Sequence, residues 1–168
     1  MQHATITEFL QYYAKVKGRT KKVVSLITEN NIDYSLNDKQ FSIGDLARHI
    51  PLVELYFYLP IIKGLEPNYS GCDSSFAPDT ASILALYEQA ELALRHILKD
   101  KPPEFLREKI RMPKGEISLH KWLRIILEHE IHHRGQIYQL LSARGVSVPD
   151  IFGMSNEDLI RLSAKNKN

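Results

Sequence analysis

Glu128-His129-Glu130-Ile131-His132-His133-Arg134-Gly135-Gln136, set inside the stretch from Ser118 to Arg144, decides how this chain folds. Three of the seven histidines fall within five residues here. Around them Ile117, Trp122, Ile125, Ile126, Ile137, Leu140 and Leu141 recur at three- and four-residue spacing, which predicts one long amphipathic helix. At about 100° per residue, His129 and His133 stand roughly 40° apart on successive turns, with Gln136 roughly 20° to the other side of His129. The pattern puts both imidazoles on the inward stripe and assigns Arg124, Glu130 and Arg134 to the opposite, solvated side. Two His one turn apart can offer nitrogens to a single ion.

Working outward, the rest of the chain also reads as helices. Thr5 to Asn30 carries Phe9, Leu10, Tyr13, Val16, Val23, Val24 and Ile27 at helical spacing, with Thr5 or Thr7 as cap. Ser42, with Asp45 three residues on, opens a second helix toward Leu59. Its inward face holds Leu46, His49, Leu52, Val53 and Tyr56; Pro51 predicts a kink and Pro60 a stop. Lys63 to Pro78 is rich in Gly, Pro and Asp and reads as a long crossover. Pro78-Asp79-Thr80 opens a third helix that ends before Pro102-Pro103. Glu104 to Gly115 reads as a polar connection, Gly145 as the stop of the histidine helix, and Ser155 to Ser163 as a short closing helix capped by Ser155. No strand alternation stands out, and residues 165–168 are expected to fray. Four useful helices with one long connection predict an all-α four-helix bundle, with residues 1–168 forming a single domain.

Composition removes several function classes. The net charge is +2 and no dense Lys/Arg block occurs, so nucleic acid is not an expected partner. The most basic stretch, Lys15 to Lys22, is expected to be a solvated face. The single cysteine, Cys72, excludes an intrachain disulfide framework, and its surroundings predict an ordinary thiol. No N-terminal signal pattern and no bilayer-length apolar run are present, so no membrane is expected and the cytoplasm is the expected compartment.

One core-facing His is usually a hydrogen-bonded core residue, but two side by side are costly to bury without a shared partner. A third ligand is then needed, and His49, central on the inward face of the second helix, is the best candidate. His3 lies near the terminus, His96 falls off its helix's apolar stripe, and His120 precedes the pair by more than two turns. His132 suits a flanking role, and Gln136 could orient a ligand or a water. Three His with an open position make a catalytic pattern rather than a closed structural one. Tyr56, Phe57, Tyr58 and Tyr87 could line a pocket above the site, although core packing is the plainer expectation for each.

Phe41-Ser42-Ile43-Gly44-Asp45-Leu46-Ala47-Arg48-His49-Ile50, then His129 to Gln136, then Gly145 and Val148-Pro149-Asp150, resemble the DinB-like (DNA-damage-inducible) family of metal-dependent four-helix bundles. The resemblance spans nearly the whole chain. It implies a divalent metal, zinc or nickel most often, on His49, His129 and His133, and a homodimer. It also implies a small-molecule substrate, since relatives include transferases that use low-molecular-weight thiols. The expected function is thus that of a metal-dependent transferase or hydrolase. The alternative is a non-catalytic, metal-stabilised bundle that binds a small molecule or serves a stress response.

His129-Glu130-Ile131-His132-His133 also matches His-Glu-x-x-His, the metalloprotease signature, with Glu130 as base and Glu157 as a conceivable third ligand. The missing substrate-holding strands and the Arg-Gly-Gln that follows weigh against it. A di-iron bundle needs two Glu-x-x-His helices, and only Glu130 to His133 fits.

Overall fold

The structure is a computed structural model and describes residues 5–165; His3 and the tail from residue 166 onward lie outside these. Helix α1 spans Ile6–Val24 and starts on a capping box in which Thr5 and Glu8 satisfy each other's backbone N–H. Helix α2 spans Ile43–Val53 and starts on the expected Ser42–Asp45 box. Gly44 sits in its first turn because the turn before it passes so close. The Gly44 N–H meets Ile32 O at 2.7 Å, and a Cβ there would stand 2.7 Å from Ile32 Cγ1.

The second helix does not stop where the prolines suggested. After Val53 it widens into a π-helical turn, Glu54–Tyr58, and resumes as α3, Leu59–Ile62. Pro60 lies in the first turn of α3, where a missing N–H is tolerated. Having no N–H, Pro60 leaves the Tyr56 carbonyl free, and the Asn68 N–H takes it at 2.8 Å. The Tyr58 carbonyl likewise accepts from Trp122 Nε1 at 3.2 Å. The π turn thus ties the second helix to the crossover on one side and to the histidine helix on the other.

Helix α4, Thr80–Leu98, begins on an Asp79–Ser82 capping box. A 3-10 turn, Pro103–Arg107, leads into a feature the sequence reading omitted: an antiparallel hairpin of β1, Lys109–Met112, and β2, Gly115–Ser118. Ile117, read as helical, is in β2 opposite Ile110. Four-residue strands with one buried side chain, Ile110, are too short for alternation to declare itself. Helix α5, Leu119–Ala143, follows with Ser118 as N-cap, although the Ser118 side chain makes no capping bond. It ends at Gly145, whose φ of +74° lets the Gly145 and Val146 N–H groups bond back to Ser142 O and Leu141 O. Helix α6, Asn156–Lys165, starts on the predicted Ser155–Asp158 pairing.

The four long helices form a bundle in which α1 packs on α4 and α5, and α2 packs on the same two. Sequence neighbours α1 and α2 therefore lie diagonally opposite, joined by the connection over residues 25–42. The core is split into two apolar clusters. One gathers Phe9, Tyr13, Val16, Leu59, Leu94, Trp122 and Ile126; the other gathers Val23, Ile43, Ile50, Ile83, Ile137 and Leu141.

Between them lies a buried charged layer that corrects two expectations. Lys17, in the stretch read as solvated, is 0% exposed, and Glu130, read as pointing outward, is 1% exposed; Arg134 is buried as well. Lys17 Nζ pairs with Glu54 Oε2 and lies 2.8 Å from Glu130 Oε2. Tyr13 Oη donates to Glu54 Oε1, and Thr20 Oγ1 donates to Glu130 Oε1 at 2.6 Å. Among the described residues, no helix is long and apolar enough to cross a membrane.

Candidate metal centre

Helix α5 buries Leu123, Ile126, Leu127, Glu130, Arg134, Ile137 and Leu141, so the centre of its inward stripe is Glu130. His129 lies about 100° from Glu130 around the helix. The histidine pair therefore occupies the flank of the stripe that turns toward α2, not its middle. Each imidazole is half-buried for this reason.

From α2, His49 comes to meet them. One nitrogen from each of His49, His129 and His133 lies within 4.8 Å of the other two. The ring centroids are 5.0 Å apart for His49 and His129, 4.7 Å for His49 and His133, and 4.5 Å for His129 and His133. His49 Nε2 and His129 Nε2 are 3.1 Å apart. Two nitrogens each about 2.0–2.1 Å from one tetrahedral ion would stand about 3.3 Å apart. The spacing and the donor set fit one divalent cation.

The outer nitrogens of His133 and His49 are occupied. Gln136 Oε1, which can only accept, lies 2.6 Å from His133 Nδ1, so that nitrogen carries the proton and Nε2 keeps its lone pair. Tyr69 Oη lies 2.8 Å from His49 Nδ1. With Nδ1 donating to that hydroxyl, the His49 Nε2 lone pair faces His129. The Tyr69 hydroxyl in turn bonds the Cys72 thiol, whose pKa burial raises, so Cys72 is the ordinary neutral thiol expected. Outer partners of this kind set the tautomer and ring orientation of a ligand.

Electrostatics keeps the rings neutral. Burial lowers the His129 pKa to about 3, with repulsion from His133 and His49 adding to it. Burial and then His133 lower His49 to about 4. His133 is lowered by burial too, against the pull of its Gln136 hydrogen bond. Neutral imidazole is the form that ligates.

The crossover reaches the site because α2 anchors it. Buried Arg48 donates from Nε to Cys72 O at 2.8 Å and from Nη1 to Ala77 O at 3.2 Å, and Asp45 Oδ1 holds its Nη2 at 2.8 Å. These bonds and the Asn68–Tyr56 tether hold both sides of Tyr69. Phe41 packs on His49 with centroids 5.4 Å apart, and Tyr58 on His129 at 5.4 Å.

The other sequence candidates fall elsewhere. His132 is exposed, its ring 4.9 Å from that of His133, in the flanking position expected. His96 is exposed in the last turn of α4, and His120 stands at the far end of α5 beside Phe9 and Tyr12. Tyr87 is fully buried in the core, whereas Tyr56 is exposed. Glu130 is committed to Lys17 and Thr20 and so is not a free base beside the histidines, which removes the protease geometry. Tyr69 and Arg48 were not anticipated. Tyr69 sits in an aperiodic loop and carries no sequence signal. Arg48, a charge beside His49 on a short apolar helix, could have prompted a search for buried acceptors.

A model of the DinB family matches residues 1–163. The uncharacterized protein YrdA of Bacillus subtilis is 24% identical over 163 residues, 92% of each chain. A DinB-like protein from Bacillus cereus superposes with a TM-score of 0.75 at 21% identity, over 88% of this chain and 98% of its own. YfiT from Bacillus subtilis, described as a probable metal-dependent hydrolase with an unusual four-helix bundle topology, superposes with a TM-score of 0.69 at 18% identity, over 84% of this chain and 88% of its own. The diagonal four-helix bundle and the span of the family match agree: this chain belongs to the DinB family.

Proposed function

We propose that the chain is a divalent-metal-dependent enzyme that binds zinc or nickel through His49, His129 and His133 and catalyses hydrolysis, or transfer to a thiol, on a small molecule. One observation carries this reading: imidazoles from two separate helices converge, with one nitrogen each of His49, His129 and His133 within 4.8 Å of the other two. A divalent ion there would supply Lewis acidity and lower the pKa of a water or thiol in its open position. The chain's own residues prepare the site. Burial holds the three rings unprotonated at neutral pH. Tyr69 and Gln136 fix the tautomers of His49 and His133. Phe41 packs against the His49 ring and Tyr58 against the His129 ring.

The likeness to YfiT supports trying hydrolysis first. The test is elemental analysis of protein purified without a histidine tag, followed by turnover assays on esters, amides and thiol-plus-electrophile pairs. The expected result is about one equivalent of metal and a turnover that His49→Ala and chelation both abolish. A fully loaded site with no turnover across the panel would favour the metal-stabilised, non-catalytic bundle. A homodimer and a cytoplasmic setting complete the proposal; light scattering reads the first and fractionation of the source cells the second.

A further inference from the structure

An open cleft of about 740 Å³ lies against the triad on its α5 side. Leu36, Phe41 and Leu140 give it apolar walls, and Gln136, Gln139 and His133 its polar edge. It is continuous with the candidate centre: His133 belongs to both, Gln136 bonds His133, and Phe41 packs on His49. Leu36 and Phe41 are exposed at its rim, at 63% and 48%, and set apolar surface directly beside the polar site. Among the described residues lining it there is no carboxylate, lysine or arginine; the ionisable groups are the imidazoles of His132 and His133.

We propose that this cleft binds the substituent flanking the reacting group of the substrate, and that it selects an uncharged, largely apolar acyl or aryl group over a carboxylate-bearing one. The size is that of a small-molecule site with few polar groups. An apolar substituent gains by leaving water for Leu36, Phe41 and Leu140. A carboxylate placed there gives up part of its hydration and finds no lysine or arginine in return. The inference rests on the metal-site reading above and narrows it: substrates or thiols that must seat a carboxylate in this cleft are disfavoured.

The probes are three hydroxamates with the same metal-binding head: acetohydroxamate, benzohydroxamate and 4-carboxybenzohydroxamate, titrated calorimetrically into the zinc-loaded full-length chain. Benzohydroxamate is expected to bind about tenfold more tightly than acetohydroxamate, the order expected for burying one ring. The carboxylated ring is expected to bind no better than acetohydroxamate. Leu36→Ala should shrink the advantage of the plain ring severalfold. Gln139→Arg, on an exposed helical position, should tighten the carboxylated probe about tenfold, a gain that misfolding cannot imitate. Zinc content is measured in the same samples. Equal affinity for all three probes on a fully loaded site, or a preference for the carboxylate in the unmodified chain, overturns the inference while leaving the metal reading intact. Failure of the unmodified chain to bind zinc overturns both.

Discussion

Replacing Lys17 with methionine removes the cation that pairs with both Glu54 and Glu130, which are 2% and 1% exposed. Both carboxylates lose an ion-pair partner, while Tyr13 and Thr20 still donate to them. Breaking a buried pair by deleting one member costs about 3–5 kcal/mol, because the remaining charge keeps its desolvation penalty. For a domain of this size each kcal/mol shifts Tm by about 2–4 °C, so a fall of about 6–20 °C is expected at pH 7. The cost should depend on pH in a defined direction. Burial already holds the Glu54 pKa above the usual carboxylate value, and the attraction of Lys17 opposes that rise. Without Lys17 the folded-state pKa climbs further. Over the window from the ordinary glutamate value up to that folded value, the folded state holds a proton the unfolded state has released, so stability falls as pH rises. The deficit of Lys17→Met relative to the unmodified chain should be largest at neutral pH and shrink on acidification. Urea denaturation of both proteins at pH 7 and pH 5 measures it, and adding Glu54→Gln should recover much of the loss. A Lys17→Met protein within about 1 kcal/mol of the parent at pH 7 would refute the reasoning, since that is the range of exposed ion pairs.

Other outcomes follow from the same geometry. Tyr69→Phe deletes the partner of His49 Nδ1 and should weaken zinc affinity by about 10- to 100-fold in a competitive chelator titration, with the fold intact. Arg48→Leu strands the Cys72 and Ala77 carbonyls, each charge-assisted bond contributing about 1.5–3 kcal/mol. It should raise amide exchange across residues 68–77 and weaken metal binding through Tyr69. Because His49 and His129 are held at about 4 and about 3, bound metal should persist as pH falls through 6.5, where free imidazoles protonate. In the metal-free protein the unfolded state takes up protons first, so stability should decline from about pH 6.5 downward, and less steeply in His129→Ala; thermal melts across pH 4–8 read both effects.

The helices were legible because their signals are local. The Ser42–Asp45 and Ser155–Asp158 caps and the Gly145 stop are short-range chemistry, and the structure forms all three. The pairing of His49 with the α5 histidines could be read because each lies along the inward side of a long periodic segment. The exact rotation of α5 could not. The sequence reading centred the stripe on His129, whereas the buried set centres it on Glu130. That error came from counting Glu130 and Arg134 as solvated, when Lys17, on another helix, neutralises Glu130 and the guanidinium of Arg134 is buried on the same face. Lys17 itself sits at core spacing with Tyr13, Val16, Thr20 and Val24, a sign that the basic-stretch reading overrode. Pro60 was read as a stop because local rules cannot show that its missing N–H frees Tyr56 for Asn68. The hairpin and Tyr69 depend wholly on what the crossover and the 3-10 turn bring together.

The central claim is that His49, His129 and His133 form one metal site. Anomalous diffraction at the zinc edge, from crystals of the tag-free chain loaded with zinc, tests it most directly. The account predicts one strong peak about 2.0–2.1 Å from a nitrogen of each of the three rings. No peak between α2 and α5, or a peak that leaves the His49 ring bonded only to Tyr69, would contradict it.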